Sequence, residues 1–236
     1  MKPVARITLC KAGTRLRGHG REGGKAGKLF PLMLFLFLSA SLFSPVWSIA
    51  TESPMELVRK TSTRMLGVLK DEREVIEQDP TRLYDLVVDI VLPYFDFERM
   101  SRWTLGKHWR RASPEQRERF VEEFRTLLVR TYGSALADYA DEKIVYLPMQ
   151  MKKGDAKVVV RTEIQQPGNL PIPINYSMYE KDSEWKVYDV SIDGISLVAN
   201  YRTIFSSDIR QGGLDKLIDK LASDNEKLLT TNQESG

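Results

Sequence analysis

A strand that turns directly into a helix constrains this chain more than any other stretch. From Trp185 to Phe205, WKVYDVSIDGISLVANYRTIF, the first half alternates: Trp185, Val187 and Asp189 on one side, Lys186, Tyr188, Val190 and Ile192 on the other. A period of two marks a strand with two unlike faces. The alternation stops at Asp193-Gly194. Beyond it Ile195, Val198, Tyr201, Arg202 and Phe205 recur at helical spacing. A last strand feeding a helix that folds back over its own sheet is one way to roof a cavity.

The rest of the chain supplies helices first and strands second. Ser53-Pro54 is an N-cap with proline at the first helical position, opening a helix through Val58, Met65 and Leu69. Asp79-Pro80 repeats the signal for a second helix ending before Pro93. Tyr94–Leu105 is dense in aromatics and reads as one or two short helical turns. Ser113-Pro114-Glu115-Gln116 is a capping box that opens the longest helix, with Phe120, Phe124, Leu128 and Tyr132 on one face. From Lys143 the period becomes two, and strands are expected at 143–151, 156–166, 170–181 and 184–192, joined by turns short enough for an antiparallel meander. Helices at 195–209 and 214–229 close the chain. Helices, then four consecutive strands, then helices make an α+β order.

The N-terminus belongs to another category. Residues 1–28 carry eight basic residues and one acid, Leu29–Phe43 is apolar but short for a bilayer, and Ser48 and Ala50 stand at the −3 and −1 positions of a cleavage site. That order is a secretory signal peptide. The expected organisation is therefore a cleaved leader at 1–50, a single domain at 51–230 and a frayed tail at 231–236. Removing the leader leaves 27 basic against 31 acidic residues, a net charge of −4, so the alkaline pI carries no implication of nucleic-acid binding. The only cysteine, Cys10, leaves with it. An exported chain of this length can bury a core without disulfides.

Enzymatic chemistry finds little to stand on. GHGREG at Gly18–Gly23 fits G-x-G-x-x-G, but it lies in the leader with no strand before it. Gly106-Lys107 is followed by histidine where a Walker loop needs Ser or Thr. His108 is the sole histidine after residue 50, so imidazole metal sites and Cys–His pairs are excluded, and no G-x-S-x-G exists for a triad. The acids Asp189 and Asp193, and Asp138, Asp141 and Glu142, are read as caps and turn residues. No cofactor and no metal is expected. Arg99, Arg102, Arg110 and Arg111 are read as a solvated helix face, with an acidic partner as the alternative.

Two stretches carry a resemblance to a known family. WKVYDVSIDGISLVANYR at Trp185–Arg202 and LPYFDFERMSRWTLGKHWRRASPEQRERFVEEFRTLL at Leu92–Leu128, including the Leu-Gly-x-x-Trp-Arg segment at Leu105–Arg110, are similar to the MlaC or toluene-tolerance family of periplasmic phospholipid-binding proteins. The likeness runs over nearly the whole mature chain; the departure is the long leader. It implies a periplasmic, monomeric carrier that moves phospholipid between an outer-membrane lipoprotein–porin complex and an inner-membrane ABC transporter. The implied fold is a helix-covered mixed sheet, a cone like nuclear transport factor 2, enclosing an apolar cavity for acyl chains. The transporter would supply the energy, in keeping with the missing nucleotide motif.

Energetics sharpens that implication. Two tails of about 30 methylenes represent roughly 25 kcal/mol of exposure to water. A carrier must cover most of both, yet bind little better than a bilayer. On this reading Val158, Val160, Ile174, Tyr176, Met178, Val190, Phe124 and Tyr132 line the pocket, with Tyr201 and Phe205 near its mouth. Val160→Asp is then expected to cut lipid recovery without unfolding the domain. The competing classes are a binding protein for small aromatic solvents and an exported hydrolase.

Overall fold

Helix starts follow the caps that the sequence spells out. In the computed structural model, which describes residues 52–152 and 154–234, Ser53 Oγ accepts from the Glu56 amide at 3.2 Å and opens α1, Pro54–Asp71. A short α2, Arg73–Gln78, precedes α3, Thr81–Ile90, where the Asp79 carboxylate accepts from the Thr81 amide at 3.0 Å. Asp96 accepts from the Arg99 amide and starts α4, Phe97–Leu105. The capping box is complete at α5, Pro114–Asp138: Gln116 N donates to Ser113 Oγ at 3.2 Å and Ser113 N to Gln116 Oε1 at 3.0 Å. The expected leader lies outside the described residues.

Strands β1, Lys143–Tyr146, β2, Lys157–Gln165, β3, Ile172–Lys181, β4, Glu184–Ile192, and β5, Ile195–Ser196, form one antiparallel sheet in sequential order. The α+β class and the helix-covered antiparallel sheet match expectation, but the sheet has five strands where four were expected. The reason is local. Asp193 and Gly194 both adopt positive φ, 50° and 79°, which is the signature of a two-residue hairpin turn. Ile195 therefore pairs back onto Ile192, and the last helix, α6, Leu197–Glu234, starts two residues later than its spacing indicated. Gly213, at φ 84°, breaks α6 where two separate helices were expected. β1 is also shorter than read: Leu147 N still reaches Arg161 O, and Pro148 follows.

A second correction concerns β4. Its register against β3 shifts between Ser177 and Met178, so Val187 faces Met178 and Val190 faces Tyr176. The bulge inserts one extra residue and reverses the face that follows it. Val190 thus joins Trp185 and Val187 on the covered side, whereas strict alternation put it opposite them. Asp189 turns instead to the start of α6, accepting from Ser196 Oγ at 2.6 Å and the Val198 amide at 3.1 Å.

α1 packs on β2, α4 and α6 pack on β4, and α5 packs along α6. One hydrophobic cluster fills the space between sheet and helices; a second joins Met65 and Leu69 of α1 to Leu83, Leu86, Val87 and Ile90 of α3.

Candidate apolar binding site

Antiparallel pairing puts opposed residues on the same face, so the covered side of the sheet can be read row by row. Val158, Met178 and Val187 form one row, and Val160, Tyr176 and Val190 the next. Tyr146, Thr162, Ile174 and Ile192 follow, then Ile144, Ile164 and Ile172. Burial changes along these rows. Val160 and Met178 have 0% exposure and Val187 3%, so that end is closed by helices. Ile174, Ile192, Tyr146, Ile144 and Ile172 are only half-buried. Ile174 has a strand on either side, facing Thr162 of β2 and Ile192 of β4, so its exposure reflects thinner helical cover and not an edge. The result is an apolar wall whose cover thins over β1, β3 and β4 while Thr162 and Ile164 of β2 stay buried.

Tyr176 marks the transition. It keeps accessible surface, yet burial pushes its pKa up to about 12 against a hydrogen bond with Thr162 that acts to lower it. Burial likewise pushes Tyr132 of α5 up to about 12, with added contributions from the charge and hydrogen bond of Tyr201 of α6. Those two helices are stitched by aromatic rings. Phe124 lies 5.4 Å from Tyr201 and 5.8 Å from Phe205, both edge-on, and Phe120 stacks on Phe124 at 5.6 Å.

All ten residues singled out in the sequence meet in this one cluster. Phe124, Val158, Val160, Met178, Val190 and Phe205 are buried in it, and Tyr132, Ile174, Tyr176 and Tyr201 are partly buried against it. Phe205, at 3% exposure, sits inside the α5–α6 seam. Sequence reasoning missed Tyr146, Thr162 and Ile192. Thr162 is 2% exposed and spends its hydroxyl on the Ile174 carbonyl at 3.0 Å, which is how a polar residue lies on an apolar face. The clefts of about 470, 710 and 720 Å³ elsewhere on the molecule are lined by none of the ten.

Several of the remaining candidates have structural partners. Asp141 pairs with Arg73 at 2.5 Å and Lys70 at 3.6 Å, Asp189 caps α6, and Asp193 holds the hairpin turn. His108 is half-buried; burial and then the charges of Lys107, Arg111 and Arg210 lower its pKa from the ordinary histidine value. Arg99 is not a solvated cation: its guanidinium stacks 3.8 Å from the Tyr179 ring and 4.9 Å from Tyr188. Arg102 pairs with Glu98 at 3.1 Å. Among the described residues no group of three or more His, Cys, Asp or Glu side chains could hold a metal ion, and no helix is long and apolar enough to cross a membrane.

This arrangement has relatives. Residues 59–223 match the family described as MlaC protein. The chain is 31% identical over 183 residues to toluene tolerance protein Ttg2D of Pseudomonas putida, covering 76% of this chain and 85% of that protein. It is 29% identical over 210 residues to the intermembrane phospholipid transport system binding protein MlaC of Haemophilus influenzae, covering 87% and 97%. A phospholipid-binding protein from Ralstonia solanacearum, solved in complex with a phospholipid, superposes with a TM-score of 0.68 at 29% identity, over 73% of this chain and 97% of that one.

Proposed function

The chain belongs to the MlaC family, and from that premise we propose that it is a periplasmic phospholipid carrier, moving lipid between outer and inner membranes with the tails held against the covered face of its sheet. The observation that carries this reading is the row of partly buried apolar side chains Tyr146, Ile174 and Ile192, continuous with the partly buried Tyr176 on the same face. A partly covered apolar row on the central strand offers a surface against which an acyl chain can be laid. The phospholipid complex of the Ralstonia relative supports the same assignment.

On this reading the packed side chains between these rows and the α5–α6 seam part to make room for the tails. Rings on adjacent helices can part without breaking backbone hydrogen bonds, so the space can widen for a second tail. Apolar contact gives about 0.8 kcal/mol per methylene, comparable with what a bilayer returns, and release stays feasible. The outer-membrane lipoprotein–porin complex and the inner-membrane ABC transporter are the partners at either end of the journey. No covalent step is asked of the chain; Asp96 and Asp189 start helices and Asp141 is held in an ion pair.

Mass spectrometry of an organic extract from protein purified out of the periplasm tests the assignment. A carrier yields phospholipid near one molecule per chain. An extract holding only small aromatic compounds would point to a solvent-binding protein, and lyso-lipid with free fatty acid to a hydrolase; either overturns the proposal.

A further inference from the structure

Away from the apolar wall, the turn after α4 meets α6 in a cleft of about 710 Å³ whose charged lining is entirely basic: Arg102, Lys107, Arg110, Arg117 and Arg202, around Trp109. From residue 51 onward the chain nets −4, so this concentration of positive charge does not follow from composition. Two of the five are already engaged. Arg102 pairs with Glu98, and Arg117 donates its Nε to the Trp109 carbonyl at 3.0 Å while lying 5.4 Å from that ring. For Lys107, Arg110 and Arg202 there is no carboxylate within ion-pair reach among the described residues.

The seat of Arg202 is specific. Gly106 has φ 54° and ψ −117°, a conformation open to glycine, and a Cβ there would stand 3.1 Å from Arg202 Nη2. The guanidinium therefore rests directly on the backbone of the turn that carries Lys107 and Arg110. Gathering unanswered like charges raises the free energy unless a counter-charge occupies the space. Guanidinium forks match the oxygens of a phosphoryl group in pairs, and the volume suits a group of headgroup size.

We propose that this cleft binds a phosphoryl group, with Lys107, Arg110 and Arg202 as its ligands and Gly106 as the residue that seats Arg202. The group can come from free phosphate or from the phosphodiester headgroup of an anionic lipid surface. The second source rests on the carrier reading, because it places the molecule at the bilayer where lipid is exchanged.

The purified chain is tested by calorimetry with inorganic phosphate, and by co-sedimentation with phosphatidylcholine vesicles with and without phosphatidylglycerol at physiological ionic strength. Binding to the phosphatidylglycerol vesicles is expected to exceed binding to phosphatidylcholine alone by roughly tenfold or more, and Arg110→Gln/Arg202→Gln to abolish that margin. Lys107→Gln/Arg110→Gln, on an exposed turn, gives the same loss even if the Arg202 change disturbs the Gly106 turn. Phosphate that binds and displaces the vesicles assigns the site to the free anion; vesicle binding indifferent to phosphate assigns it to the headgroup. Double variants that bind both probes as the parent does would overturn the proposal. So would a parent that binds neither, which would leave the cleft to an acidic protein surface. Lipid content of organic extracts is an independent readout: a lipid-free protein with an intact cleft response would sink the carrier reading and leave this site standing.

Discussion

Ile174→Asp strips the purified protein of phospholipid, by roughly tenfold or more in an organic extract, and leaves it folded. The side chain is half-buried on the open part of the covered face, so an aspartate there keeps access to water and costs the fold about 1–2 kcal/mol. A tail laid against the same spot would have to desolvate a carboxylate, at a cost well above the 1.4 kcal/mol that equals tenfold in affinity. Val160→Asp behaves differently. Alternation alone makes Val160 an inviting probe, but it has 0% exposure between Val158 and Thr162 on the closed part of β2. A buried carboxylate without a partner costs several kcal/mol, a large share of the 5–15 kcal/mol that holds an ordinary domain together. That variant loses lipid because it loses its fold. Circular dichroism melts beside lipid recovery separate the two; equal lipid content in Ile174→Asp and parent would count against the proposed wall.

Asp96→Ala costs about 3 kcal/mol of stability at neutral pH, and the deficit shrinks in acid. The carboxylate, 8% exposed, starts α4 by accepting from the Arg99 amide at 2.9 Å, accepts from the Tyr179 hydroxyl, and pairs with Lys181 at 3.2 Å. Charge-assisted bonds of this kind are worth about 1.5–3 kcal/mol each, and the N-cap contributes about 1 kcal/mol. Burial alone would raise the Asp96 pKa, but the bonds from Tyr179, Arg99 and Lys181 outweigh it and hold the carboxyl below its ordinary 3.8. A group whose pKa is depressed by folding stabilises above its unfolded value, and the contribution drains away as pH falls through the folded one. Urea titrations at pH 7 and at pH 3 measure the difference. A deficit that stays the same at both would show that the charged form is not what holds the site.

The importance of Asp96 lies in what it fastens. Its backbone amide also donates to the Val187 carbonyl at 2.9 Å, so the segment before α4 continues the edge of β4 beyond the point where β5 covers it. Arg99, one turn on, is locked between Tyr179 and Tyr188 on the other face of the sheet. α4 is thereby held both to the edge of β4 and to the Tyr179–Tyr188 face of the sheet, and the turn that forms the basic cleft follows directly from it.

Much of this architecture can be read from residue order because it is locally determined. Ser53, Asp79 and Ser113 are caps whose partners lie within three residues, and each starts a helix where expected. Val158, Val160, Ile174 and Met178 alternate cleanly, and their shared face follows from the pleat. The misreadings come where one residue changes a long-range relation. The bulge beside Met178 moves Val190 across the sheet, and no composition signal marks it. Asp193-Gly194 has the composition of a tight hairpin turn, but the two residues of β5 behind it are too few to show a period. Thr162 was invisible because the hydroxyl that excuses its burial bonds to a carbonyl on the next strand. The graded cover of the sheet is the least legible feature. It depends on how far α1 reaches over β2 and α4 and α6 over β4, which no single element encodes.

The central claim is that acyl chains lie against the half-exposed rows of the covered face, and photo-crosslinking tests it most directly. A phospholipid with a diazirine near the end of one tail is loaded into the protein, irradiated, and the adducts are mapped by peptide mass spectrometry. The account predicts adducts on Ile172, Ile174 and Tyr176 of β3, on Ile192 and on Tyr132 of α5. Adducts gathered on the opposite face of the sheet, at Val159 and Arg161, or scattered over the surface without preference, would contradict it.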